Sequence, residues 1–169
     1  MKRASFFFAR RKLGPAIAAA TLFCGLRAGA QQQDASERPF AFGVGLGVAA
    51  RPAGGNGSVG LGTLEFGTPW RNLDVRFDGA VMSWKAVGRV TSLTGNLVYA
   101  HRLGVFTPYL VGGVGGYAQQ GVGVSFGING GVGTRLSLGP LQPFIELREH
   151  VWSADRTHRA TPLTLGLRF

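Results

Sequence analysis

The chain has 169 residues, of which 45% are hydrophobic and 15% charged, with 18 Lys and Arg against 8 Asp and Glu. That composition excludes disorder, which needs low hydrophobicity and many charges, and the length suits one ordinary domain. The formal charge of +10 does not argue for nucleic acid, because six of the 18 basic residues fall among the first thirty positions with no acid between them.

Those thirty residues read as a label for export. Met1 to Lys12 is basic, Leu13 to Leu26 is apolar, and Ala28-Gly29-Ala30 follows, the order of a cleavable secretory signal. The apolar run is shorter than the ~20 residues that span a bilayer, so cleavage near Ala30 is expected rather than anchoring. The one cysteine, Cys24, lies inside this run, and its removal would leave an exported chain without thiol chemistry. Residues 31–39 are polar and predict a short flexible lead-in. Beyond residue 30 the chain carries twelve basic and eight acidic residues and one lysine, Lys85. A water-facing surface usually carries ~25–35% charged residues, which disfavours a soluble domain.

From Phe40 the dominant signal has period 2. Phe40, Phe42, Val44, Leu46 and Val48 alternate with Ala and Gly, and only a strand puts such a set on one face. The pattern returns in Leu73, Val75, Phe77 and Val81, again from Phe126 to Leu138, and last in Leu163, Leu165, Leu167 and Phe169. From Gly112 to Gly127 the alternation changes phase, where a bulge would reverse the faces. Turn-forming clusters at 52–58, 68–72, 83–88, 102–108, 119–123, 139–142 and 153–160 divide residues 40–169 into eight strands. Strands of ~10 residues would leave roughly 7 residues per connection.

Period 2 does not say which face is wet, but residue size does. One face is bulky and apolar, while the other is Gly, Ala, Ser, Thr and Asn with charges at intervals. In a barrel of eight strands the lumen is only wide enough for side chains to fill it. The second face therefore predicts a polar interior, with Glu65, Asp74, Arg76, Asp78, Arg102, Arg135, Glu146, Arg148 and Arg168 paired within it, because an unpaired buried charge is costly. Trp84 and Trp152 near one set of strand ends, with Trp70 and Tyr109 near the other, are expected to form aromatic girdles at the membrane interfaces. The predicted fold is all-β: an eight-stranded antiparallel transmembrane β-barrel, residues 40–169, preceded by the signal at 1–30. A soluble ligand-binding β-barrel is the alternative fold.

The run Leu163-Thr164-Leu165-Gly166-Leu167-Arg168-Phe169 resembles the terminal insertion signal of Gram-negative outer-membrane barrels. The segments Phe106 to Tyr117 and Pro143 to Arg148 are similar to hairpins of the small outer-membrane β-barrel superfamily, which includes OmpA-like and OmpX-like transmembrane barrels. The resemblance spans residues 40–169. It implies an outer-membrane location, outer-membrane lipid as surroundings, and recognition of Leu163, Leu165, Leu167 and Phe169 by the barrel-assembly machinery.

Chemistry is sparse. The glycines recur inside strands and never open a helix as a phosphate-binding loop would. His101, His150 and His158 are the three histidines, and a zinc site needs three or four convergent ligands; a weak surface site of His150, Asp155 and His158 is the minor alternative, and no metal or other cofactor is expected. Lipid A deacylases of the outer membrane are small barrels that carry His, one residue, then Ser, with an acid nearby. The stretch His150-Val151-Trp152-Ser153, with Asp155 beyond it, resembles that arrangement with one residue too many, which puts His150 and Ser153 on opposite faces of a strand. Arg51, Arg89, Arg156, His158 and Arg159 are candidates for pairing with lipopolysaccharide phosphates. The expected role is non-enzymatic, in envelope structure or surface interaction. A narrow porin-like channel and a lipid A-modifying hydrolase are the alternatives.

Overall fold

The computed structural model describes residues 40–169, with 53, 54, 87 and 155 excepted. The expected signal at 1–30 and lead-in at 31–39 lie outside the described residues. Eight strands follow in order: β1 (Phe40–Arg51), β2 (Gly55–Gly67), β3 (Leu73–Trp84), β4 (Gly88–Ala100), β5 (Phe106–Gln119), β6 (Gly123–Leu136), β7 (Gln142–Ser153) and β8 (Thr157–Arg168). Each is antiparallel to its neighbours, and β8 pairs with β1 to close the barrel. Closure leaves no open edge, so the strand backbones satisfy one another.

Strands of 12 to 14 residues are longer than the expected ten, and the connections are correspondingly short. At the base, the end that holds Phe40 and Phe169, each connection has five residues, whereas at the opposite end, the mouth, each has three. The predicted breaks at 52–58 and 153–160 were too wide. Asn56, Gly57 and Ser58 are ladder residues paired with Ala50, Ala49 and Val48, and Thr157 to Ala160 pair with β7. Of the turn-forming types there, Gly57 stands on the inner face, while Asn56, Ser58 and Thr157 are exposed outer positions at the rim of the wall. Gly121, in the three-residue turn between β5 and β6, and Gly123, the first residue of β6, take φ of 80° and 110°, a region costly for side chains with a Cβ.

No bulge interrupts the segment whose alternation changes phase. The β5–β6 register runs without a slip from Phe106↔Leu136 to Gln119↔Gly123. The alternation is blurred because glycines occupy both faces there: Gly113 and Gly115 point inward, Gly112 and Gly116 outward.

The two faces divide sharply. The outward positions of β1, Phe40, Phe42, Val44, Leu46 and Val48, are all exposed, as are Leu93, Leu97, Val114, Phe126, Ile128 and Leu165 on other strands. Glu65, Arg76, Asp78, Arg135, Glu146 and Arg148 are buried within. This is the reverse of a soluble ligand-binding barrel, which needs its apolar face inside. A bulky apolar outer wall around a polar interior is the pattern of a barrel that stands in hydrocarbon.

Several inward aromatic rings lie flat against a glycine of the next strand. Tyr109 is paired with Gly133, where an added Cβ would fall 2.3 Å from its ring. Phe144 covers Gly166 in the same way, also at 2.3 Å. A ring laid over a glycine hides backbone and fills the lumen at once. Gly133→Ala should therefore push Tyr109 off its seat and destabilise the barrel by about 1–3 kcal/mol. Urea titration of the folded, fast-migrating gel band would report this. A midpoint equal to that of the native protein would show that the contact does not matter.

Candidate functional site: the barrel lumen

The lumen is built in three layers. In the middle layer, Arg76 and Asp78 project from β3, while Glu146 and Arg148 project from β7, four strands away around the barrel. Each pair is spaced i, i+2, so both members share the inner face. The four close a ring: Arg76 to Asp78 at 3.1 Å, Asp78 to Arg148 at 2.7 Å, Arg148 to Glu146 at 2.5 Å and Glu146 to Arg76 at 2.7 Å. All four side chains are buried. Two positive and two negative charges cancel, so the ring avoids the penalty of an uncompensated ion. Asn96 donates to Asp78 Oδ2 at 2.9 Å and Tyr109 donates to Glu146 Oε2 at 3.0 Å. Beside the ring lies a cavity of about 10 Å³ lined in part by Asp78, Thr94, Glu146, Arg148 and His150, enough for one water.

The base layer is anchored by Glu65. Its Oε1 accepts from Arg135 Nη1 at 2.7 Å and from Arg168 Nη2 at 2.9 Å, and Arg168 also donates to Gln142 at 2.6 Å. Asp74 sits half-buried beside this group, paired across the ladder with Gly67. Two acids and two arginines again balance. Tyr109 joins the two layers, because the guanidinium of Arg76 lies 5.8 Å from its ring and that of Arg135 lies 5.1 Å away.

The mouth layer is aromatic. Trp152 stacks on Tyr117 at 5.2 Å and on His158 at 5.6 Å. Arg51 lies 5.4 Å from the Trp84 ring and 5.3 Å from the Trp152 ring. Its Nη2 is 2.5 Å from His158 Nδ1, where a neutral imidazole must accept. Trp84 donates to the Ala49 carbonyl at 3.0 Å, and the Tyr117 hydroxyl lies 2.9 Å from His150 Nδ1.

Two of the sequence expectations are corrected by these placements. Arg102 is exposed in the β4–β5 connection rather than in the lumen. Continued alternation would have turned it inward, but the chain leaves the wall after Ala100 and folds back through the Leu103↔Phe106 bridge. The four interfacial aromatics are reduced to one. Trp70 is 69% exposed in the β2–β3 connection, but Trp84, Trp152 and Tyr109 are 3%, 1% and 5% exposed inside the barrel. Their positions show why: Trp84 shares a face with Arg76 and Asp78, and Trp152 shares one with Glu146 and Arg148. The outer aromatics near the base are instead mostly phenylalanines, with Tyr99 also exposed there: Phe40, Phe66 and Phe77 form a chain of ring contacts at 5.5 and 6.1 Å, and Phe42 stacks on Phe169 at 5.3 Å.

The possible His–Ser–acid arrangement is not assembled from the described residues. His150 is buried against Tyr117, whereas Ser153 is exposed at the outward end of β7, and Asp155 lies outside the described residues. No group of three or more metal-ligating side chains converges among the described residues. The mouth cluster around Arg51 was missed as a unit; the signal was there in Arg51, Trp84, Tyr117, Trp152 and His158, all at inward positions of strand ends.

No protein-family model matches the chain, and no curated protein matches it. Solved structures do match. The chain is similar to Neisserial surface protein A (NspA), with TM-score 0.65 and 14% identity over 77% of this chain and 96% of that one. It is similar to the outer membrane enzyme PagL, with TM-score 0.60 and 17% identity over 75% and 98%. It is also similar to the N-terminal β-barrel domain of Pseudomonas aeruginosa OprF, with TM-score 0.56 and 12% identity over 76% and 97%. The chain thus has the fold of the small eight-stranded outer-membrane barrels.

Arg148→Met leaves Asp78 and Glu146 to share Arg76 and should cost about 3–5 kcal/mol. Adding Asp78→Asn keeps the Arg76–Glu146 pair whole and should restore part of that loss. Urea midpoints of the three proteins in detergent decide the matter; a double variant no more stable than the single one means that the four charges do not act as a ring.

Proposed function

We propose that this chain is an outer-membrane barrel with a plugged lumen and a non-catalytic role in envelope structure or surface interaction. The observation that carries this reading is the ring of Arg76, Asp78, Glu146 and Arg148 across the middle of the lumen. With the Glu65 group below it and the aromatic layer above, side chains fill the space that a narrow channel would need. Against a lipid A-modifying hydrolase stands the engagement of His150 by Tyr117 on the face away from Ser153. The likeness to PagL is one of fold.

Two partners belong to the same reading. Outer-membrane lipid surrounds the apolar wall, with lipopolysaccharide phosphates near the exposed arginines of the mouth. The barrel-assembly machinery takes up β8 through Leu163, Leu165, Leu167 and Phe169, all exposed on its outer side.

Three measurements test this reading. Fractionation should place the protein in the outer membrane, with a band that shifts on boiling. Planar-bilayer recordings of the pure protein should show no conductance steps, and mass spectrometry of lipid A from cells with and without the protein should show the same acyl chains. Steady conductance would favour the channel, and a lost acyl chain would favour the hydrolase.

A further inference from the structure

The base and middle layers are each electrically balanced, but the mouth layer is not. Arg51 is 8% exposed, and no carboxylate among the described residues lies within ion-pair distance of it. Its guanidinium carbon lies over the Trp84 and Trp152 rings, and its Nη2 is taken by His158. The other edge is not used: Nη1 is buried without a hydrogen-bond partner, and so is Nε1 of Trp152. These two donors belong to groups whose centres are 5.3 Å apart. A buried donor without an acceptor costs its full desolvation penalty, so the pair is an expensive arrangement unless something accepts from it.

Among the described residues, most of the charge at the mouth connections has the same sign. Lys85, Arg89, Arg156 and Arg159 are exposed at or beside the mouth connections. The described acid nearest to them on β7, Glu149, is turned outward and lies 3.7 Å from Arg159. A basic rim around a buried guanidinium suits a doubly charged oxyanion better than a single carboxylate. Stacking of a sugar or other flat ring on Trp152 is disfavoured, since Tyr117 and His158 already stack on it and Arg51 lies over it.

We propose that the mouth of the barrel holds a phosphate-class oxyanion, with the free edge of Arg51 and the indole N–H of Trp152 as its buried donors. The group comes either from free phosphate or from a phosphorylated lipid headgroup at the barrel rim. A guanidinium edge fits either source, through short charge-assisted hydrogen bonds.

The experiment uses the barrel in detergent with Trp70→Phe, so that fluorescence reports on Trp84 and Trp152 alone among the tryptophans. It is titrated with inorganic phosphate, and separately with micelles that contain phosphatidic acid, with chloride at matched ionic strength as the control. A saturable change with either probe is expected, weakened roughly tenfold or more by Arg51→Gln, in protein whose unboiled gel band confirms folding. Saturation by inorganic phosphate identifies the free ion, and a response confined to phosphatidic acid identifies the lipid headgroup. No saturable change with either probe overturns the proposal, as does an Arg51→Gln variant that titrates like its parent. Tighter phosphate binding in Asp155→Asn, by a similar factor, also overturns it, because Arg51 would then already be matched by the chain's own carboxylate.

Discussion

The structure depends on the narrowness of its interior. Eight strands enclose a space that side chains alone fill, so the charges that turn inward in the base and middle layers find their counterions there. Arg76 and Asp78 on β3 meet Glu146 and Arg148 on the opposite wall, and Glu65 on β2 meets Arg135 on β6 and Arg168 on β8. The ion pairs therefore act as cross-struts. They hold opposite walls at a set separation, which neighbouring strands joined by backbone hydrogen bonds cannot do by themselves.

The same narrowness explains the glycines. A wall that curves this tightly brings inward side chains close to the backbone of the adjacent strand, and a large ring fits only where its neighbour has no Cβ. Tyr109 over Gly133 and Phe144 over Gly166 are two such fittings. Tyr109 then serves three purposes at once: it shields a backbone, donates to Glu146 and lies between two guanidinium groups.

Much of this was legible in the sequence because inside and outside differ in kind along every strand. The apolar alternation of Phe40 to Val48 and of Leu163 to Phe169 identified the outer wall, and low charge content pointed to lipid around it. The aromatic residues mislead when read by type: the spacing of Trp84 from Asp78 and of Trp152 from Glu146 places both inside, whereas no charged residue on β5 marks the face of Tyr109. Strand ends were hard to read for a related reason: glycine and serine signal turns in most proteins, but here they also line a crowded interior. The pairing of individual charges across the lumen was not legible, since it depends on which strands stand opposite one another and on the stagger of the closed sheet.

Closure of the barrel has a consequence in time. The Phe42 amide donates to the Phe169 carbonyl and the Phe169 amide donates to the Phe42 carbonyl, while the two rings stack. The seam thus joins one of the first described residues to the last. Contacts this distant along the chain carry a large loop-closure cost and form slowly. The hairpins from β1 to β8 can form one after another, but the cylinder cannot close until Phe169 has been delivered. Folding of this chain therefore finishes only once its last strand is available, and does not proceed to completion strand by strand as the chain emerges.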